Sequence, residues 1–238
     1  MQIEYTEIDQ EMTPLGLLVL RRYEAETGEI GYEILLDGGF LMASHGAHSE
    51  AAMANLAYQR LDYPRNGLRI LVGGLGAGHT LRAALNLPGV EHVTVAEIGQ
   101  KVVEWNRRYF SVVNGGAVND PRVAIRIAPA QQVLEENQQA FDLLLLDVDN
   151  GPGWLAAPAN APLYESAGLR SAQAALRPGG VMAVWSPQPN PLFEQALAQV
   201  FPGFERIDTA ALGRPLGEPG DTIYLGVVST SIASRGTF

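Results

Sequence analysis

Glu97 closes the apolar run Val93-Thr94-Val95-Ala96, and Asp147 closes Phe141-Asp142-Leu143-Leu144-Leu145-Leu146. A third acid, Glu50, stands at the head of a helical stripe. Between Glu50 and Glu97 lies Leu71-Val72-Gly73-Gly74-Leu75-Gly76-Ala77-Gly78-His79-Thr80, an apolar run that ends in glycines. Gly74, Gly76 and Gly78 let the chain turn sharply and leave a ligand room against bare backbone. An acid about twenty residues after such a turn accepts hydrogen bonds from ribose hydroxyls. The combination of strand, glycines, helix and Glu97 therefore predicts a nucleoside site. Asp147, at a strand end, is placed to accept a proton from an amine or to orient it. Glu50 and Asp149 are carboxylates that an ammonium would favour, and the ring face of Trp154 can cover a cation. Each has a plainer alternative. Glu50 suits the first turn of a helix through the dipole, Asp149 suits a solvated loop, and Trp154 suits packing of that loop. His45, His48 and Glu50 straddle a loop and a helix start, with no further ligand clustered nearby, so no metal is expected.

The elements that must position these residues follow from periodicity. Residues 1–43 alternate like a sheet, and Asp37-Gly38 between apolar runs signals a hairpin. From Ala47 the pattern turns helical, with Met53, Leu56, Ala57 and Leu61 on one stripe. Strands are then predicted at 68–73, 93–97, 122–127, 141–147 and 181–186, with helices after the first four and another over 191–200. A helix over 164–176 is expected to stop at Arg177-Pro178-Gly179-Gly180. Phe204 to Ile207 and Thr222 to Val228 are expected to close the fold as a strand pair. The alternation predicts an α/β fold with a doubly wound, mostly parallel sheet, preceded by a small antiparallel β-sheet. The expected division is an N-terminal hairpin domain over 1–46 and a Rossmann-like nucleoside-binding domain over 47–238.

Composition narrows the function classes. The chain has 238 residues, 47% of them hydrophobic, enough for a full core. The formal charge of -10 argues against binding nucleic acid and permits a cationic substrate. With no cysteine, disulfides, thiolate zinc sites and cysteine nucleophiles are excluded. No apolar run approaches the ~20 residues needed to span a bilayer, and Met1-Gln2-Ile3-Glu4 does not open a signal peptide. The expectation is a cytoplasmic protein with no membrane partner. Arginine carries nearly all the positive charge, because Lys101 is the only lysine.

The hairpin preface, the acid-bearing helix and the glycine turn, together with Asn119-Asp120-Pro121-Arg122-Val123, Asp147 before a Gly-Pro loop and Leu176-Arg177-Pro178-Gly179-Gly180-Val181, resemble the spermidine synthase (polyamine aminopropyltransferase) family. The last of these stretches also occurs across the wider class I S-adenosylmethionine-dependent methyltransferase fold. The resemblance implies that fold, a donor that is S-adenosylmethionine or its decarboxylated form, transfer of an aminopropyl group to an amine such as putrescine, and a possible homodimer. It also implies an aspartate where Ala77 stands, Gly-Asp where Ala128-Pro129 stands, and a second loop aspartate where Asn150 stands. These replacements predict a transferase altered in donor or acceptor. A methyltransferase on the same fold and a nonenzymatic interaction module are the alternatives.

Overall fold

In the computed structural model, residues 4–25, 28–45, 48–61, 66–148, 151–155, 158–212 and 220–230 are described. The N-terminal alternation forms strands β1 (Tyr5–Thr13), β2 (Gly16–Glu24), β3 (Ile30–Leu36) and β4 (Gly39–Ala43), an antiparallel sheet in sequence order. Asp37 and Gly38 both take positive φ, 49° and 79°, as a tight two-residue hairpin requires. One face of this sheet is apolar, with Leu18, Leu20 and Ile34 buried in the same cluster as Ile70, Val72, Leu143 and Leu145.

Helix α1 (His48–Gln59) leads into the larger sheet. The chain then alternates through β5 (Leu68–Gly73), α2 (His79–Leu85), β6 (Val90–Glu97), α3 (Gln100–Arg108), α4 (Ser111–Asn114), β7 (Val123–Ile127), α5 (Ala130–Glu135) and β8 (Phe141–Leu146). It continues with α6 (Ser166–Ala175), β9 (Leu176–Ser186), α7 (Pro191–Val200), β10 (Glu205–Asp208) and β11 (Thr222–Val227). Proline at the first position and the Asn190 side chain, which accepts from the Phe193 amide at 3.0 Å, start α7. The seven strands lie in the order β10-β11-β9-β8-β5-β6-β7, parallel from β9 to β7 and antiparallel at β10 and β11. Strands β8 and β5 are all but fully buried, as their continuous apolar runs require between two helical layers.

One expected boundary is corrected. The run Arg177 to Gly180 ends α6, but β9 begins at Leu176 rather than at 181. Leu176 pairs with Phe141 and Val181 with Leu143, so the intervening residues bulge out of the ladder around Gly179, φ 75°.

The chain order reverses between β5 and β8, which makes their carboxyl ends the topological switch point. The small sheet is fastened to that side by three polar links. The Trp105 indole donates to Asp9 at 2.9 Å, Lys101 meets Asp9 and Glu11 at 3.1 and 3.4 Å, and His79 Nε2 donates to the Ser44 carbonyl at 2.9 Å. Among the described residues, no helix is long and apolar enough to cross a membrane.

Candidate functional site

A cavity of about 320 Å³ opens at the switch point, between the strand ends of the large sheet and the apolar face of the small one. Such a volume is at the small end of the range for small-molecule sites. The glycine turn forms its floor, and the three glycines do different work. A Cβ on Gly74, φ 83°, would lie 2.2 Å from the Asp147 carbonyl oxygen, because β5 and β8 are in register there and the Asp147 amide donates to Gly73. A Cβ on Gly78, φ 85°, would meet the amides of Asn114 and Asn106 at 2.7 and 3.0 Å. Only Gly76, φ 48°, is open, with the Met42 methyl 3.8 Å away. Gly74 and Gly76 line the cavity, whereas Gly78 packs behind it. Two fully buried asparagines hold the turn. Asn106 donates to the Gly76 carbonyl at 2.8 Å and Asn114 to that of Ala77 at 2.9 Å.

Glu97 ends β6 inside the cavity wall, 9% exposed. Its two oxygens accept from the amides of Leu75 at 2.9 Å and Gly99 at 2.7 Å. The carboxylate is thereby fixed in orientation in the cavity wall. Ile98 and Ala130 flank it in the wall, and Pro129 caps α5 outside the lining.

Asp147 is the most perturbed acid. Burial is the main cause and the nearby Glu50 charge the next, and together they push its carboxyl up from 3.8 to about 7. The Thr80 hydroxyl, donating to Oδ2 at 2.7 Å, and His79 oppose that rise, and Asp221 adds to it. The residue as a whole is half-buried in the cavity wall. A carboxyl that titrates near neutrality is matched to general base work. Glu50 stands in the same wall and accepts from the Ser49 hydroxyl at 3.0 Å. His79 also lines the cavity. Burial lowers its pKa, and donation from Nε2 to Ser44 leaves Nδ1 as the acceptor nitrogen of the neutral ring.

The cavity therefore brings together Gly74, Gly76, Glu97, Asp147 and Glu50 from distant parts of the sequence. It does not include Trp154, which is 49% exposed and outside the wall, so its expected cover over a cation is not the arrangement found. The expected roles of Asp149 and Asn150 fall on residues outside those described. His45 bonds through Nδ1 to the Tyr23 hydroxyl, His48 is exposed, and among the described residues no group of three His, Cys, Asp or Glu gathers to hold a metal. Asn160 and Trp185 enter the wall unforeseen, the latter with its indole nitrogen buried and without a hydrogen-bond partner. No local pattern marks Asn160, which folding brings in from a short helical segment far along the chain. Trp185 carried one signal, its place at a strand end on the ligand side.

The family model described as "Spermine/spermidine synthase domain" matches residues 50–201. A polyamine aminopropyltransferase of Prochlorococcus marinus (strain MIT 9313) is 28% identical over 200 residues, which covers 84% of this chain and 64% of that protein's length. Two solved structures are similar in fold. Spermidine synthase from Thermotoga maritima has a TM-score of 0.71 at 19% identity, covering 93% of this chain and 72% of that one. A spermidine synthase in complex with the transition state analogue AdoDATO has a TM-score of 0.69 at 18% identity, with the same coverage.

Proposed function

This chain belongs to the spermine/spermidine synthase family, on a class I methyltransferase-like fold, and we propose that it transfers an aminopropyl group from a decarboxylated S-adenosylmethionine to an amine. The observation that carries this reading is the charge of the cavity wall. Its described ionisable residues are Glu50, Glu97, Asp147 and two histidines, with no lysine or arginine. A sulfonium bearing an ammonium is favoured in that field, whereas the carboxylate of intact S-adenosylmethionine would meet like charge with no cation to pair with. A spermidine synthase of the same fold holds AdoDATO, a transition state analogue, in keeping with a donor of this class.

In this reading the ribose hydroxyls donate to Glu97, and the adenine lies between Ile98 and Ala130. The acceptor nitrogen directs its lone pair at the carbon beside the sulfonium. The new C–N bond forms as the C–S bond breaks, and the electron pair leaves with sulfur as methylthioadenosine. Asp147 takes the proton released from nitrogen, a role that a carboxyl titrating at about 7 can fill near neutral pH. Glu50 holds the positive charge near the reacting centre. Ala77, where the family resemblance implies an aspartate, removes one anionic contact to the donor's ammonium and leaves that charge to Glu50 and Asp147.

Calorimetry with decarboxylated S-adenosylmethionine, intact S-adenosylmethionine and methylthioadenosine tests the donor, and release of methylthioadenosine on adding amines tests the transfer. The expected order places the decarboxylated donor tightest. Preference for the intact donor would turn the reading toward a methyltransferase. Failure to bind any of the three would leave an interaction module.

A further inference from the structure

Glu50, Glu97 and Asp147 each have a part in the transfer, whereas His79, in the same wall, has only its bond to the small sheet. A carbonyl oxygen can only accept, so the 2.9 Å contact with Ser44 puts the ring proton on Nε2 and the lone pair of the neutral ring on Nδ1. Ser44 is itself fixed, its amide donating to the Tyr32 carbonyl and its hydroxyl oxygen accepting from the Tyr32 amide, both at 2.9 Å. The ring is thus held at one nitrogen, and the other has no hydrogen-bond partner among the described residues. Nor is Nδ1 sealed in protein, because the buried side-chain polar atoms without a partner among the described residues are Gln131 Oε1 and Trp185 Nε1. Burial lowers the pKa of the ring, Arg82 and His45 add to the fall, and the Ser44 carbonyl and Asp147 oppose it without reversing it. Near pH 7 a neutral acceptor therefore stands in a half-buried residue of the cavity wall.

We infer that His79 is a ligand-binding residue, its Nδ1 accepting a hydrogen bond from a primary ammonium of a bound substrate beside the carboxylates of Asp147 and Glu50. The inference rests on the transfer reading above and adds a residue to it. Asp147 is near enough for its charge to act on His79 and on Glu50, so α2, the end of β8 and α1 bring three acceptors toward one part of the cavity. The hydroxyl donor beside them, that of Thr80, is already given to Asp147 at 2.7 Å. A group lodged there meets acceptors, which suits an ammonium with three N–H donors and no lone pair. A neutral acceptor also has an advantage over a third carboxylate. It adds a bond to the cation without adding like charge to Asp147, whose carboxyl burial and Glu50 already hold up at about 7. The donor and the amine acceptor both carry an ammonium, and the test separates the two sources.

Two substitutions divide the ring's two nitrogens. His79→Gln puts an amide N–H about where Nε2 is, so it can keep the bond to Ser44 while leaving no acceptor at the Nδ1 position. His79→Asn puts an amide oxygen about where Nδ1 is and gives up that bond. Calorimetry on the full chain measures methylthioadenosine, which bears no ammonium, decarboxylated and intact S-adenosylmethionine, and putrescine with methylthioadenosine present. His79→Gln is expected to weaken the decarboxylated donor, putrescine or both by about tenfold to a hundredfold, with methylthioadenosine unchanged. Loss on the donor alone assigns the bond to the donor's ammonium, and loss on putrescine alone to the acceptor's. His79→Asn should recover most of that affinity while melting at a lower temperature. Cation binding kept in His79→Gln and lost in His79→Asn makes the ring a tether only and overturns the inference, as does an equal loss for methylthioadenosine. In the parent, nitrogen NMR of the ring should show Nδ1 shifting when a cation is added and not when methylthioadenosine is, and an Nδ1 unmoved by every cation overturns the inference whatever the variants do. A parent that prefers intact S-adenosylmethionine loses the transfer reading, and the same comparison, made between that donor and methylthioadenosine, still decides His79.

Discussion

Removing the charge of Asp147 should make the protein more stable and less active at the same time, and the gain in stability should grow as pH rises from about 4 to about 7 and be full above that. The folded-state pKa is raised from 3.8 to about 7, so the neutral form is the one the fold favours. Between those values the native state holds a proton that the unfolded chain has released, and stability falls as pH rises through about 7. At about 1.4 kcal/mol per tenfold change in proton affinity, the whole displacement amounts to at most about 4 kcal/mol above pH 8. Because the residue is only half-buried, screening brings the expected figure to roughly 2–3 kcal/mol. Asp147→Asn cannot ionise, yet keeps an oxygen to accept from Thr80, whose hydroxyl lies 2.7 Å from Oδ2. At about pH 4 and below, where the unfolded carboxyl is itself largely protonated, parent and variant should melt nearly alike. At pH 9 the variant should melt roughly 5–10 °C higher for a chain of this size. Turnover should fall by about a hundredfold to ten-thousandfold, with little change in nucleoside affinity. Melting curves at the two pH values decide the matter. An equal difference at both, or a variant less stable at pH 9, would show that burial of this carboxyl is not what raises its pKa.

Glu50→Gln should lower the Asp147 pKa and move the rising limb of the kcat/KM–pH profile to lower pH, and an unmoved limb would place Glu50 too far away to act. Glu97→Ala should weaken nucleoside binding by roughly 1.5–3 kcal/mol per charge-assisted bond lost, and should also lower the melting temperature, because the Leu75 and Gly99 amides lose their acceptor. Unchanged affinity measured by calorimetry would refute that ribose position. Gly74→Ala and Gly76→Ala should part company. The first drives a Cβ to 2.2 Å from the Asp147 carbonyl and should unfold or severely destabilise the chain, whereas the second meets only Met42 at 3.8 Å. Gly76→Ala should therefore fold, at a cost of about 1–2 kcal/mol for its left-handed backbone, and lose nucleoside affinity. Equal melting temperatures for the two variants would contradict the assigned contacts.

The alternation of strands and helices was legible because buried parallel strands are continuous apolar runs, as Leu68 to Gly73 and Phe141 to Leu146 are, and the segments between them have helical periodicity, whereas the order of the strands in the sheet was not. The start of β9 was not, because proline and glycine at 178–180 signal a break, while the ladder absorbs them as a bulge once Leu176 pairs with Phe141. Local pattern also placed Glu97 at the end of a buried strand, where it lies in the cavity wall. What stayed hidden depends on convergence across long separations. Asn106 and Asn114 brace the glycine turn from two helices, and neither has a spacing that announces it. Asp221 raises the Asp147 pKa from a segment far along the chain. Trp154 misled for the opposite reason, since an aromatic ring in a loop after an acid suits a cation but equally suits solvent.

Lys101 joins α3 to the small sheet through Asp9 and Glu11, and it is the one lysine in the sequence. Apart from the chain's amino terminus, an amine-directed reagent has a single place to act. That place is one of the links between the small sheet and α3 beside the cavity. Acetylation or acylation there replaces an ammonium held by three carboxylates, those of Asp9, Glu11 and Glu104, with a neutral amide. Labelling or resin coupling through lysine is accordingly expected to disturb the ligand cavity from its far side, whereas reductive methylation, which keeps the charge, should leave it intact.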